Sequence, residues 1–297
     1  MAGRVSEVAT VVVDFLAYLA GVRRYSPHTL RAYATDVREF CGGFTARHGR
    51  PATTADLSRQ ELRSECVRVF GRLRASSLAR RLSALRSFGD FLVLRGLARE
   101  NQARLMRRPK VGPRLADVLT EGQVAALCEV TTGRHTVRNE ALCEVLYGAG
   151  LRISECLQLD VADLVWEADN LLVRVRGKGQ RERQVPAGRA AAAALRRYLS
   201  ERGPAVGALF VSNRGRLRDR SVRMMLRARA VAASISSPVW PHLLRHSCAT
   251  HMLRRGCNVR LIADQLGHLS LSSTQWYLHL DLRDLIRVYQ RAHPRAY

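Results

Sequence analysis

The sequence predicts a mainly α protein with a small β-sheet or hairpin (α+β), split into two domains by a short basic linker. Three observations predict it. Apolar residues recur three and four apart over most of the chain, the period of helices with one buried stripe. The stretch "LLVRVRGKGQRERQVP" (171–186) instead alternates apolar and polar residues on either side of a glycine-bearing turn, which is the pattern of a hairpin. Between Arg99 and Leu119 the helical period lapses, and "RRPKVGPRLADV" (107–118) supplies two prolines, a glycine and four cations. The expected division is a helical domain over 1–108, a basic linker over 109–119 and a second domain over 120–297.

The first helix carries Val8, Val11, Val12, Phe15, Leu16 and Leu19 on one face. "SPHTLRAYATDVREF" (26–40) opens the second, with Ser26 as cap, Pro27 in the first turn, and Leu30, Tyr33, Val37 and Phe40 as the stripe. A third helix follows Leu57. In the fourth, "SSLARRLSALRSFGDFLVLRG" (76–96), Leu78, Leu82, Leu85, Gly89 and Leu92 face inward, Arg80, Arg81 and Arg86 fall on other faces, and Gly96 stops the run. After the linker, Thr120 and Gln123 have the spacing of a capping box, and helices are expected over 121–130 and 137–148. "YGAGLRISECLQL" (147–159) turns the chain into the hairpin, with Lys178 expected at or near its tip. From there the pattern is helical to the end, apart from a strand at "LFVS" (209–212) and the loop "NRGRLR" (213–218).

The 297 residues are 47% hydrophobic, enough for folded cores, and 49 Lys and Arg against 25 Asp and Glu give a net charge of +24. A polyanion, above all nucleic acid, is the partner that such a balance implies. The charge is not a tail: residues 1–112 hold 21 basic and 9 acidic side chains, and residues 113–297 hold 28 and 16. Two equally basic domains suggest that both touch one polymer. The competing reading, an arginine-rich solvated surface that binds nothing, is weaker because acidic residues are not correspondingly raised. Seven scattered cysteines without a C-x-x-C pair read as reduced thiols in the cores of a cytoplasmic protein. "VATVVVDFLAYLA" (8–20) is broken by Asp14 and lacks a basic leader, and no run reaches membrane-spanning length, so a soluble protein without a membrane partner is expected.

Of the 49 basic residues all but Lys110 and Lys178 are arginine. Arginine holds its proton near neutrality, whereas a partly desolvated lysine can transfer one, so Lys178 in the run "RVRGKGQRER" is a candidate for proton transfer. Four more stretches bear on chemistry. "GAGLRISEC" (148–156) puts Arg152 at a helix start, with Glu155 one turn beyond; "PHLLRHSCATHML" (241–253) puts His242 and Arg245 three apart on one helix. "ADQLGHLS" (263–270) places His268 after a helix-ending Gly, and "SSTQWYLHL" (272–280) carries Tyr277. Singly, each residue has a structural explanation: a cap, a solvated cation, a loop histidine, a core tyrosine, an exposed helix glutamate. Together they form the set that cleaves a phosphodiester without metal: cations for the nonbridging oxygens, groups that move protons, and a side-chain nucleophile.

The runs "GLRISE", "GKGQRER", "HLLRHSCATH", "LGH" and "TQWYLH" resemble the tyrosine recombinase (phage integrase) family, in layout its short Xer-like members. The resemblance covers the whole second domain, and the first is similar to the family's helical core-binding (SAM-like) domain. It implies the ordered set Arg152, Lys178, His242, Arg245, His268 and Tyr277, with Glu155 in support, and no metal or cofactor. It also implies a 3′-phosphotyrosyl link and a free 5′-hydroxyl on a double-stranded DNA site. Strands would be exchanged through a Holliday junction by four protomers on two sites, as a homotetramer or paired with a second recombinase. Cys248, where such sequences often have an aromatic residue, and the bulky Trp276 depart from the pattern and are expected to alter packing. "DLRDLIRVYQRAH" (281–293) lines up Leu282, Leu285, Ile286 and Tyr289, a stripe expected to dock on a neighbouring protomer. On that reading, deleting 281–297 abolishes the synapse and spares single-site binding.

Three rivals stay open at this point. A type IB topoisomerase shares the chemistry but relaxes supercoils as a monomer. A non-catalytic DNA-binding protein would tolerate Tyr277→Phe in every assay. A metal enzyme could use His242, His246 and His251, although position 243 is Leu where an H-E-x-x-H site needs Glu.

Overall fold

The computed structural model describes residues 6–107, 117–167, 170–177, 182–203, 206–267 and 282–296, with backbone alone at 167, 170, 282–285 and 287. The chain forms two compact units, Met1–Arg114 and Leu115–Tyr297. Of the linker expected at 109–119, residues 109–116 lie outside the described residues.

The first unit is built from α1 (Val8–Gly21), α2 (Pro27–His48), α3 (Arg59–Val69) and α4 (Ala75–Leu94), with short 3-10 turns at Thr54–Asp56 and Gln102–Leu105. Ser26 caps α2 by accepting from the Thr29 amide at 3.2 Å, and Pro27 occupies the first turn as its fixed φ favours. The apolar stripes meet in one core in which Phe15, Phe40, Phe44, Phe88 and Leu92 are fully buried. One expectation fails here. Arg81 is not on an outer face but is 4% exposed, between Glu65, which accepts from its Nη1 at 2.8 Å, and Asp36 and Glu39. Asp36 and Glu65 are each 1% exposed, so α2, α3 and α4 are joined by buried ion pairs as well as by apolar contact.

The second unit opens with α5 (Glu121–Cys128), whose capping box is reciprocal: the Gln123 amide donates to Thr120 Oγ1 at 3.1 Å, and the Thr120 amide to Gln123 Oε1 at 2.9 Å. Next comes α6 (Thr136–Gly148), buried on every side from Ala141 to Gly148 and therefore the centre of this core. Gly148 lets the chain pass close, since a Cβ there would lie 2.3 Å from the Ala187 carbonyl oxygen. A short α7 (Ile153–Gln158) leads to an antiparallel sheet in the order β1 (Leu164–Glu167), β2 (Asn170–Arg176), β3 (Glu182–Pro186). The β2–β3 hairpin is as expected, with Val175 opposite Arg183 and Arg176 opposite Glu182. The strand β1 is an addition, since four residues are too few to show alternation. Then follow α8 (Gly188–Arg202), the two-residue strands β4 (Val211–Ser212) and β5 (Gly215–Arg216), α9 (Asp219–Ala232), α10 (Pro241–Arg254), α11 (Val259–Leu266) and α12 (Leu282–Ala292).

All seven cysteines are free thiols, and Cys128, Cys143, Cys156, Cys248 and Cys257 are buried. No helix among the described residues is long and apolar enough to cross a membrane.

The described part of the terminal stripe serves its own domain. Tyr289 is 2% exposed and donates from Oη to the Gly148 carbonyl at 3.1 Å, and its ring stacks on the buried His293 at 4.7 Å. Arg295 donates from Nε to Glu144 Oε2 at 2.9 Å, and Glu144 is 1% exposed. Deleting 281–297 therefore uncovers α6 and leaves a buried carboxylate unpaired, a class of change that costs roughly 3–5 kcal/mol. The expected outcome is a lower melting temperature and weakened single-site binding as well as a lost synapse, measurable by thermal unfolding and gel shift.

Candidate active site

Two arginines far apart in sequence, Arg152 and Arg245, meet around one carboxylate. Arg152 is the N-cap of α7 and Glu155 its N3 residue, so the local geometry pairs them: Glu155 Oε2 accepts from the Arg152 amide at 2.9 Å, and Oε1 from Arg152 Nη1 at 2.8 Å. Arg245, one turn into α10 and 7% exposed, brings Nη1 to 3.8 Å from Glu155 Oε2. The carbonyls at the C-terminus of α11 lack helical amide partners and carry the negative end of the helix dipole. Both arginines use them. Arg245 donates from Nη2 to the Leu266 carbonyl and from Nη1 to the Gly150 carbonyl at 2.7 Å, while Arg152 donates from Nη2 to the Gly267 carbonyl at 3.1 Å.

Two further residues complete the frame, and the sequence did not single them out. Arg183 on β3 grips Glu155 with a two-point fork, Nη1 to Oε1 and Nη2 to Oε2, both at 3.1 Å. Gln265 is 2% exposed and donates from Nε2 to the Pro186 carbonyl at 3.0 Å and the Ala149 carbonyl at 3.4 Å, tying α11 to the end of β3 and to the turn before Arg152. Arg183 is one cation among the 16 between Asn170 and Ala230, so nothing in its sequence setting distinguishes it. Gly267 ends α11 with φ of 64°, and Arg183 fills the space beside it. A side chain there would be strained by the backbone and would meet Arg183 Cζ at 2.8 Å.

The electrostatics follow from this crowding. Burial raises the Glu155 carboxyl, but the hydrogen bonds and charge of Arg183, with those of Arg152, bring it below the ordinary glutamate value. Burial, then the charge of Arg152, pulls Arg245 down to about 10, still protonated at neutrality. His242 lies at the start of α10; partial burial of the ring, then the charges of Arg245, Arg223 and Arg152, holds it below the ordinary histidine value, which favours the neutral ring. His251, a member of the histidine series weighed as metal ligands, is buried with Nδ1 2.7 Å from the Tyr147 hydroxyl.

A carboxyl whose pKa falls on folding contributes stability above its unfolded value, near ~4.3, and loses it as pH drops through the folded value. Glu155→Gln is therefore expected to be destabilised by about 3 kcal/mol at pH 7, as is usual when a buried pair is broken. The gap to the parent should close in acid, which thermal melts across pH will read.

Arg152, Glu155, His242 and Arg245 are thus placed, the first, second and fourth in one cluster. Lys178, His268 and Tyr277 lie outside the described residues. Arg183 and Gly267, five residues after Lys178 and one before His268, belong to the cluster itself.

A model of the phage integrase family matches residues 117–283, and one of the phage integrase N-terminal SAM-like domain matches residues 12–96. The chain is 39% identical over 287 residues to the tyrosine recombinase XerC of Pelobacter propionicus, covering 95% of this chain and 94% of that one. It is 35% identical over 294 residues to the tyrosine recombinase XerD of Chlorobaculum tepidum, covering 95% of each. In fold it is similar to a lambda integrase dimer bound to a COC′ core site, with a TM-score of 0.70 at 17% identity over 89% of this chain and 96% of that one. A XerH site-specific recombinase bound to difH substrate aligns with a TM-score of 0.65 at 20% identity, over 93% and 83%. Two matched domains in the right order and identity along nearly the whole length lead to one conclusion: the chain belongs to the phage integrase family, as a Xer-like tyrosine recombinase.

Proposed function

We propose that this protein cuts and rejoins double-stranded DNA at a specific site through a 3′-phosphotyrosyl intermediate and exchanges strands through a Holliday junction. The observation that carries the reading is the cluster at Glu155. Arg152, Arg183 and Arg245 surround one buried carboxylate, leaving positive charge in surplus at a partly buried site. Such a surplus is stabilised by a bound anion, and a phosphodiester fits it.

In this reading Arg152 and Arg245 hold the nonbridging oxygens, with His268 as a further donor. Tyr277 Oη attacks phosphorus; the O–P bond to tyrosine forms as the P–O5′ bond breaks. The phenol, whose free pKa is near ~10, gives its proton to the neutral His242, and Lys178 on the hairpin protonates the departing 5′ oxygen. Attack by a 5′-hydroxyl reverses these steps, and the phosphotyrosyl bond keeps the energy of the phosphodiester, so rejoining needs no ATP. When that hydroxyl comes from a second duplex, strands are exchanged. Four protomers on two sites, alike or in two kinds, supply the four active centres, and the protein works on DNA in the cytoplasm.

The test is trapping on nicked oligonucleotides, where the 5′ fragment diffuses away and the adduct accumulates. A labelled protein–DNA adduct that forms in EDTA supports the reading; cleavage that leaves no protein on the 3′ end overturns it. Relaxation of a plasmid with no exchange between paired sites would keep the chemistry and remove the recombination.

A further inference from the structure

Arg183 is placed to do more than neutralise Glu155. It stands on β3 opposite Val175 of β2, two residues into the strand that leaves the hairpin tip. Both Nη groups donate to the Glu155 carboxylate, and Nε is buried with no hydrogen-bond partner among the described residues, so the fork of this guanidinium is committed to orienting a carboxylate. What it touches are the supports of other residues. Glu155 holds both the backbone amide and Nη1 of Arg152, and Gly267, against which Arg183 is packed, holds Arg152 Nη2 through its carbonyl. One side chain therefore links the strand next to Lys178 with both fixings of Arg152.

We propose that Arg183 is a positioning residue that sets the register of the β2–β3 hairpin against Arg152, so that Lys178 meets the leaving 5′ oxygen of the phosphate that Arg152 holds. This rests on the roles given above to Lys178 and Arg152. Fork geometry matters more than charge in such a link: two parallel bonds fix an orientation, which a lysine at the same place cannot do. A misplaced acid slows only the step in which it gives its proton. The consequence is specific to the leaving group, since a sulfur in place of the 5′ oxygen departs without a proton.

The experiment compares the full-length parent, Arg183→Lys and Lys178→Ala in single-turnover adduct formation on saturating DNA. Each is run on an ordinary nicked substrate and on one with a bridging 5′-phosphorothiolate. Displacement of a catalytic group by an ångström costs on the order of 10²-fold, so Arg183→Lys is expected to be about that much slower on the oxygen substrate. On the sulfur substrate it should return to near the parent rate, with DNA binding unchanged throughout. Lys178→Ala should show the same pattern. If Lys178→Ala is equally slow on both substrates, the acid role of Lys178 falls and the proposal with it. If Lys178→Ala recovers but Arg183→Lys does not, or if Arg183→Lys is as fast as the parent on oxygen, Lys178 keeps its role and the proposal for Arg183 is overturned.

Discussion

Tyr277→Phe is expected to abolish the covalent adduct while leaving affinity for the DNA site unchanged. In the proposed mechanism the phenol oxygen is the atom that forms the new bond to phosphorus, and phenylalanine keeps the ring while removing that atom, so no part of the cleavage step survives. Removing a nucleophile that works as part of a unit costs on the order of 10⁴-fold or more, and the groups left behind do not compensate. The bonds that join Glu155 to Arg152, Arg183 and Arg245 involve none of the atoms that the substitution removes. Gel shift and adduct formation on the same nicked duplex separate the two quantities. An adduct of normal yield in Tyr277→Phe would assign the nucleophile elsewhere.

Arg245→Ala is the second large effect, and it has two parts. The first is chemical: on the role proposed for Arg245, loss of one preorganised donor to a charged transition state lowers the rate by about 10²–10³-fold. The second is structural. Arg245 donates to the Gly150 and Leu266 carbonyls from a site that is 7% exposed, and alanine leaves both without that partner, at roughly 1–3 kcal/mol for an unsatisfied buried group. The turn before Arg152 and the end of α11 are then held only by their remaining contacts, such as the Gln265 bonds to Ala149 and Pro186. Melting temperature and single-turnover rate should both fall. Arg245→Lys, which keeps the charge, should recover part of the rate while still losing one of the two carbonyl contacts, since an ammonium is a point donor where the guanidinium is a fork.

Local physics was legible residue by residue. Ser26 with Pro27, Thr120 with Gln123, and Gly267 each mark a helix boundary through a backbone group that has no other partner, and all three are used as the spacing requires. Alternation was enough for β2 and β3, and too brief for β1. Arg81 shows where the pattern misleads: by type and spacing it belongs on a solvated face, but carboxylates from α2 and α3 draw it into the interior. The same holds at the site. Arg152 and Glu155 could be paired from their separation by one helical turn, whereas Arg183 entered only through its two bonds to Glu155.

The chain by itself determined its helix ends, its hairpin, its two basic halves and the order of the residues that point to DNA strand exchange, because those are matters of period, cap and charge along one dimension. Tertiary structure decided which cations share Glu155, that the C-terminus of α11 supplies carbonyls to Arg152 and Arg245, and that Tyr289, His293 and Arg295 close their own core. The reason is that hydrogen bonds and ion pairs between residues a hundred positions apart depend on distance in space, and no periodicity in the sequence records that distance.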